Sequence, residues 1–77
     1  MNASRRKSLK SIAEGISALQ AELEAVRDEE QEAFDNMPQS LQDGEKGSSM
    51  QDGISNLDDA ISSLESCTDS LSEMANA

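Results

Sequence analysis

Carboxylates are the main side chains in this sequence that could carry chemistry. The chain has 16 Asp and Glu residues among 77 positions and no His, the most common general base and metal ligand. Two carboxylates can act as acid and base, but only in a pocket deep enough to tune their pKa values. A chain of this length allows one small domain, and the helical hairpin predicted below offers no deep pocket. We therefore expect a protein that is not an enzyme.

Residues that bind metals, cofactors or phosphates are also sparse. Cys67 is the only Cys, which excludes an intramolecular disulfide and a metal site built from Cys alone. Carboxylates can bind a hard cation, but the Asp-x-Asp-x-Asp-Gly loop of a calcium site does not occur. The four Gly residues are scattered rather than gathered in a phosphate-binding loop. We expect no metal and no cofactor.

Charge is distributed unevenly along the chain, whose formal net charge is -10. All the acidic residues lie after Ser11, together with only two basic residues, Arg27 and Lys46. Such a surface repels nucleic acid and attracts basic protein surfaces, so we expect a protein partner and no direct binding to nucleic acid. The other four basic residues form an N-terminal basic patch: Arg5, Arg6, Lys7 and Lys10.

The basic patch has two interpretations. It could contact phosphate, as a short basic arm does. Alternatively, in an antiparallel hairpin it lies beside the C-terminal end of the second helix, where Asp69, Glu73 and the helix dipole are negative.

The N-terminal segment resembles neither a signal peptide nor a membrane anchor. No run of seven or more apolar residues follows the basic patch. We expect a protein of the bacterial cytoplasm, and the single Cys67 is compatible with that location.

The elements that must position these side chains are two amphipathic helices. The first has apolar residues separated by three and four positions in alternation, with Leu9 at heptad position a and Ile12 at d. This stripe predicts a helix over about residues 4–35 and consists of Leu9, Ile12, Ile16, Leu19, Leu23 and Val26.

The second half of the chain repeats this spacing and predicts a helix over about residues 48–74. Thr68 is the one polar residue of its stripe, and Ser48 with Gln51 fits a capping box at its start. The stripe consists of Met50, Ile54, Leu57, Ile61, Leu64, Thr68 and Leu71.

Residues 36–47 connect the two helices. Pro38 ends the first helix, because the residue before a proline avoids the helical region, and a short turn over residues 38–42 can follow. We expect Gly44 and Gly47 to supply positive φ angles. Phe34, Met37 and Leu41 are expected to cover the tip of the hairpin, or alternatively to form a binding site there.

Together these elements predict an all-α protein of one domain, an antiparallel two-helix hairpin of the coiled-coil type. Matching the two stripes across the connection places Leu19 opposite Leu64. A lone pair of helices leaves its apolar groove open to water, so we expect a homodimer that forms a four-helix bundle.

The middle of the chain resembles a known group of proteins. The resemblance is found at residues 28–38, which include the Asn36-Met37-Pro38 turn, and at residues 40–42, Met50 and 56–60. Over about half of the chain these resemble small, uncharacterised acidic helical-hairpin proteins of phages, prophages and other mobile elements of Firmicutes-type bacteria. The resemblance implies a genomic context and no catalytic residue.

That context favours an inhibitor of host defence, of the anti-CRISPR kind. Its acidic helix faces would mimic nucleic acid and occupy the basic groove of a nuclease or effector complex. The residues expected to bind the partner are Asp28, Glu29, Glu32, Asp35, Asp58 and Asp59.

Two other functions fit the same residues. One is a purely structural homo-oligomeric bundle with no other ligand. The other is an oligomeric sponge that holds an anionic nucleotide near Arg5, Arg6 and Lys7. Salt-sensitive binding to a nuclease would favour the inhibitor, and binding only to itself would favour the structural bundle.

Overall fold

The computed structural model describes residues 1–77 as three helices without any strand. Helix α1 comprises Ala3–Asp35, α2 comprises Gln39–Gln42 and α3 comprises Glu45–Asn76. The two long helices pack antiparallel along a rod whose Cα atoms extend over 58 × 14 × 12 Å. The all-α helical hairpin predicted from the apolar spacing is confirmed.

Helix α1 is bounded by the residues that usually mark helix ends. The Asn2 side chain accepts a hydrogen bond from the Arg5 backbone N–H at 2.8 Å, which satisfies one of the free donors of the first turn. At the other end, Pro38 cannot continue the helix and instead is the N-cap of α2. The Pro38 carbonyl accepts hydrogen bonds from the N–H groups of Leu41 and Gln42 at 2.9 and 3.1 Å.

Helix α3 begins differently from the sequence-based prediction. Its N-cap is Gly44, so the helix starts at Glu45 and Ser48 lies within it rather than in a capping box. Neither Gly44 nor Gly47 has a positive φ, so that expectation was wrong. A Cβ at Gly47 would overlap the backbone oxygen of Gln42. Glycine is needed at position 47 because the end of α2 packs directly against α3.

The apolar stripe predicted for the second helix does face α1. Ile54 and Ile61 are buried, with 8% and 6% of their surface exposed. Leu57, Leu64 and Thr68 on the same stripe are half-buried. This helix therefore presents the predicted seam to its neighbour.

The stripe predicted for the first helix was only half right. Leu9, Ile16 and Leu23 are half-buried, as expected. The other members of the predicted stripe are exposed to solvent by about half their surface: Ile12 at 53%, Leu19 at 56% and Val26 at 51%. The predicted pairing of Leu19 with Leu64 across the seam is therefore wrong.

A second line of residues takes the place of the exposed stripe in the seam. It repeats every seven positions and consists of Ala13, Gln20, Arg27 and Phe34, all buried or half-buried. Two features favour this rotation of α1. It covers Phe34, the only aromatic residue, and it brings the Arg27 guanidinium within 3.0 Å of Asp58 on α3.

The hairpin has a thin core. Only five of 77 residues are buried, and no side chain is enclosed completely. The radius of gyration is 17.3 Å, whereas a compact chain of this length would have about 11.5 Å. None of the three helices combines the length and the apolar character that crossing a membrane requires.

Candidate protein interface

An antiparallel helix pair has two long open sides, one on each side of its seam. The bond between Arg27 and Asp58 marks one of them, which we name the carboxylate side after Asp28, Asp35 and Asp58. The opposite side carries the exposed large apolar residues of α1, and we name it the apolar side after Ile12, Leu19 and Val26. The two sides differ in chemistry and suit different partners.

Arg27 organises the carboxylate side. Its Nη1 donates to Asp58 Oδ1 at 3.0 Å, and its Nη2 and Nε donate to Asp28 Oδ1 at 3.1 and 3.2 Å. The hydrogen bond to Asp58, and then that to Asp28, raise the pKa of Arg27 above its usual value. Both carboxylates remain well exposed, with 71% of the Asp28 side chain and 53% of the Asp58 side chain accessible. Each therefore keeps an oxygen available to an external donor.

A shallow groove runs beside this cluster near the tip of the hairpin. Phe34 and Ile54 contribute apolar surface to it, and Gln31 and Asp58 contribute polar groups. Gln31 also donates to Asp35 Oδ1 at 3.0 Å, which holds a further carboxylate near the groove. The groove is open rather than enclosed. Its arrangement suits the binding of a basic or amide side chain, because acceptors lie next to an apolar surface.

The six acidic residues predicted to bind a partner do not form one face. Asp28, Asp35 and Asp58 lie on the carboxylate side. Helical periodicity turns Glu29 toward the apolar side, and it places Glu32 and Asp59 on the outer surfaces of α1 and α3. All six are exposed.

The tip of the hairpin is partly covered. Phe34 and Met37 are half-buried, and the Gln42 Nε2 donates to the Phe34 carbonyl at 2.9 Å. Leu41 remains 49% exposed, so the expectation that it folds over the tip was wrong. The four-residue α2 directs Leu41 outward while Gln42 makes the contact with α1.

The basic patch lies beside the C-terminal end of α3, as one of its two interpretations predicts, and Lys10 shares a groove with Ser72 there. The patch makes no ion pair at this end. Arg5, Arg6, Lys7 and Lys10 make no salt bridge, because both salt bridges of the protein involve Arg27. Arg6 donates instead to the Met1 carbonyl. Lys10 lines a second open groove, which also includes Glu14, Ser17, Thr68 and Ser72.

Two features of these surfaces were missed by sequence reasoning. The sequence analysis predicts no structural role for Arg27, although its seven-residue spacing from Gln20 and Phe34 indicates a place in the seam. The apolar side was missed because Ile12 and Leu19 were assigned to the seam. The sequence contains both lines of seven-residue spacing on α1, but it does not by itself select the line that packs against α3.

No group of three or more Cys, Asp or Glu side chains is arranged to hold a metal ion. Comparisons of the chain with protein-family models, with curated proteins and with solved structures find no match.

Proposed function

We propose that this protein is a non-enzymatic protein-binding module whose carboxylates occupy a basic surface that otherwise binds nucleic acid. The observation that carries the proposal is the density of negative charge along the rod. Beyond Ser11 the chain has 16 acidic and two basic residues. At 1.5 Å rise per residue this part of the rod is about 45 Å long, which gives roughly one net negative charge per 3–4 Å. One strand of B-DNA carries one charge per 3.4 Å.

Exposure and rigidity support the same proposal. Only Asp28 and Asp58 have a basic partner within the protein, so the other carboxylates are free to pair with an external base. The helices hold these groups at fixed spacing, so little conformational entropy is lost when they bind. A basic groove shaped for phosphates therefore meets a preorganised set of negative groups.

The resemblance to mobile-element hairpins gives the proposal a biological setting. In that setting the partner is a nuclease or effector complex of a bacterial defence system, and the protein acts in the host cytoplasm as its inhibitor. The thin core supports a further part of the proposal, that the working form is a homodimer arranged as a four-helix bundle.

A purely structural bundle without another ligand is the second candidate. The exposed Ile12, Leu19 and Val26 favour it, because large apolar side chains at a surface commonly mark contacts between proteins. Under this alternative the protein would bind itself and no basic partner.

Affinity capture with two matched variants tests the proposal. The immobilised protein is exposed to lysate of a bacterial host, and retained proteins are identified by mass spectrometry. One variant neutralises the end of α1 through Asp28→Asn, Glu29→Gln, Glu32→Gln and Asp35→Asn. The control removes the same charge from α3 through Asp52→Asn, Glu65→Gln, Asp69→Asn and Glu73→Gln.

We expect the wild type to retain a nucleic-acid-binding protein, and the α1 variant to lose more of it than the control does. Equal retention by all three proteins would contradict the proposal. An equal loss in both variants would mean that net charge alone steers association, with no local site on α1.

A further inference from the structure

We propose that the apolar side binds the apolar side of a second copy, with the two hairpins reversed end to end and Leu19 near the two-fold axis. The inference deepens the proposed homodimer and rests on it, but it does not depend on the basic partner. It identifies the contact surface and fixes the arrangement of the two copies.

The first observation is the choice of residues in the seam. Gln20 and Arg27 are half-buried there, while Leu19 and Val26, each one position earlier, are about half exposed. A rotation of α1 about its own axis that exchanged Gln20 and Arg27 for Leu19 and Val26 in the seam would bury the larger apolar side chains within a single hairpin. The structure instead leaves them on an open side, where only a second surface can remove them from water.

The second observation is the shape of this side. Ile12, Leu19 and Val26 follow one another at seven-residue intervals, so they form a ridge about 21 Å long. Antiparallel packing places on the same side the α3 residues that come one position before the seam residues Ile54, Ile61, Thr68 and Ala75. Three of these neighbours, Gly53, Ala60 and Cys67, are small, so another hairpin can approach closely there. The fourth, Met74, is 42% exposed and extends the apolar surface at the open end of the hairpin.

The third observation is the exposed area. A compact protein of 8.3 kDa would expose about 4,600 Å². This chain exposes 5346 Å². The excess is about 700–800 Å², close to the 800 Å² or so that each partner buries in a stable interface. A contact with a second copy that buries an area of this size would therefore bring the chain to the exposure of an ordinary folded protein.

Charge determines the relative direction of the two copies. The N-terminal end of α1 carries the unpaired basic patch, and its C-terminal end is acidic, with Glu29 turned toward the apolar side and Asp28, Glu32 and Asp35 on the other surfaces. Copies aligned in the same direction would place like charges together at both ends. Reversed copies place the basic patch of each beside the acidic end of the other, which is favourable.

The ridge itself is symmetric under this reversal. Ile12 and Val26 lie seven residues on either side of Leu19. In the reversed pair Leu19 contacts Leu19 of the partner subunit, and Ile12 contacts Val26 of the partner subunit. A two-fold axis perpendicular to the helices then relates the copies, as an isologous dimer requires.

Disulfide trapping of the full chain tests the arrangement, with Cys67→Ser as the background. We expect the Leu19→Cys protein to form a covalent dimer under mild oxidation. A mixture of Ile12→Cys and Val26→Cys proteins should form a mixed dimer about tenfold or more faster than either alone, because only the reversed pair brings these positions within disulfide range. The Ala21→Cys protein, altered on another surface of α1, should remain uncrosslinked.

Crosslinking of Ala21→Cys as fast as Leu19→Cys would overturn the assigned surface. Absence of a mixed dimer between Ile12→Cys and Val26→Cys would overturn the reversed arrangement.

Sedimentation equilibrium separates failure of the surface from failure of the dimer. We expect the wild type to be a dimer, and Leu19→Gln to weaken its association about tenfold or more, because a buried apolar side chain becomes polar. A wild-type monomer at about 100 micromolar would overturn the dimer and this inference together. If Leu19→Gln keeps its helical circular dichroism and dimerises as tightly as the wild type, the apolar side is not the dimer contact, although the dimer itself stands.

Discussion

At the scale of single residues, Thr68 is a polar side chain inside an apolar seam. Its hydroxyl oxygen is buried and has no hydrogen-bond partner. A buried hydroxyl without a partner loses its bonds to water and gains none in return, so it destabilises the folded state. Thr68 is therefore a defect in the packing of α3 against α1.

Replacing Thr68 with Val should stabilise the hairpin. The substitution keeps the shape of the side chain and removes the unpaired hydroxyl, so we expect the free energy of unfolding to rise by about 1 kcal/mol. Urea denaturation followed by circular dichroism measures this. Thr68→Ser is the control and should destabilise, because it keeps the hydroxyl and removes a methyl group. A less stable Thr68→Val protein would show that the hydroxyl has a partner.

Gly47 and Gly15 are a matched pair for a second residue-scale prediction. A Cβ at position 47 would overlap the backbone of Gln42, whereas a Cβ at position 15 meets nothing within 4 Å. We expect Gly47→Ala to destabilise the protein by about 2 kcal/mol or more and to displace α2, since backbone atoms must move. Gly15→Ala should stabilise it by about 1 kcal/mol, through helix propensity alone.

Thermal unfolding of both variants decides this comparison. If Gly47→Ala is as stable as the wild type, α2 does not pack against α3 as described.

At the scale of the elements, the seam of α3 could be predicted from the sequence and that of α1 could not. The residues that flank the apolar stripe of α3 are mostly small or polar, so a single apolar line is available there. In α1, Leu9, Ile16 and Leu23 are common to two possible seams, because a line of candidate residues runs on each side of them. Which line packs against α3 depends on burying Phe34 and on the bond from Arg27 to α3, both of which are tertiary contacts.

The rotation of α1 predicts different behaviour for neighbouring residues. Leu23 packs against α3, so Leu23→Ala should lower the free energy of unfolding by about 2 kcal/mol at every protein concentration. Val26 lies on the apolar side, so Val26→Ala should have an effect that depends on protein concentration, as linkage to association requires. Urea denaturation at about 2 and about 200 micromolar distinguishes them. The same concentration dependence in both variants would contradict the rotation.

At the scale of the whole molecule, the rod separates two surfaces along its length. Composition alone predicts an acidic protein, because net charge is a property of the sequence, and the basic partner that we propose follows from that charge. The division into a carboxylate side and an apolar side requires the rotation of α1, which places Asp28 beside Asp58 and leaves Leu19 exposed. The negative charge of the candidate site could therefore be predicted from the sequence, but the arrangement of its residues could not.

The central claim is that the carboxylates take the place of phosphates on a basic surface. Competition for the captured partner between this protein and a DNA duplex tests it most directly, with affinity measured at two salt concentrations. We expect the two ligands to exclude each other and the affinity for the protein to fall as salt rises, because both rely on the same ion pairs. A ternary complex of partner, DNA and this protein, with an affinity that salt does not change, would contradict the claim.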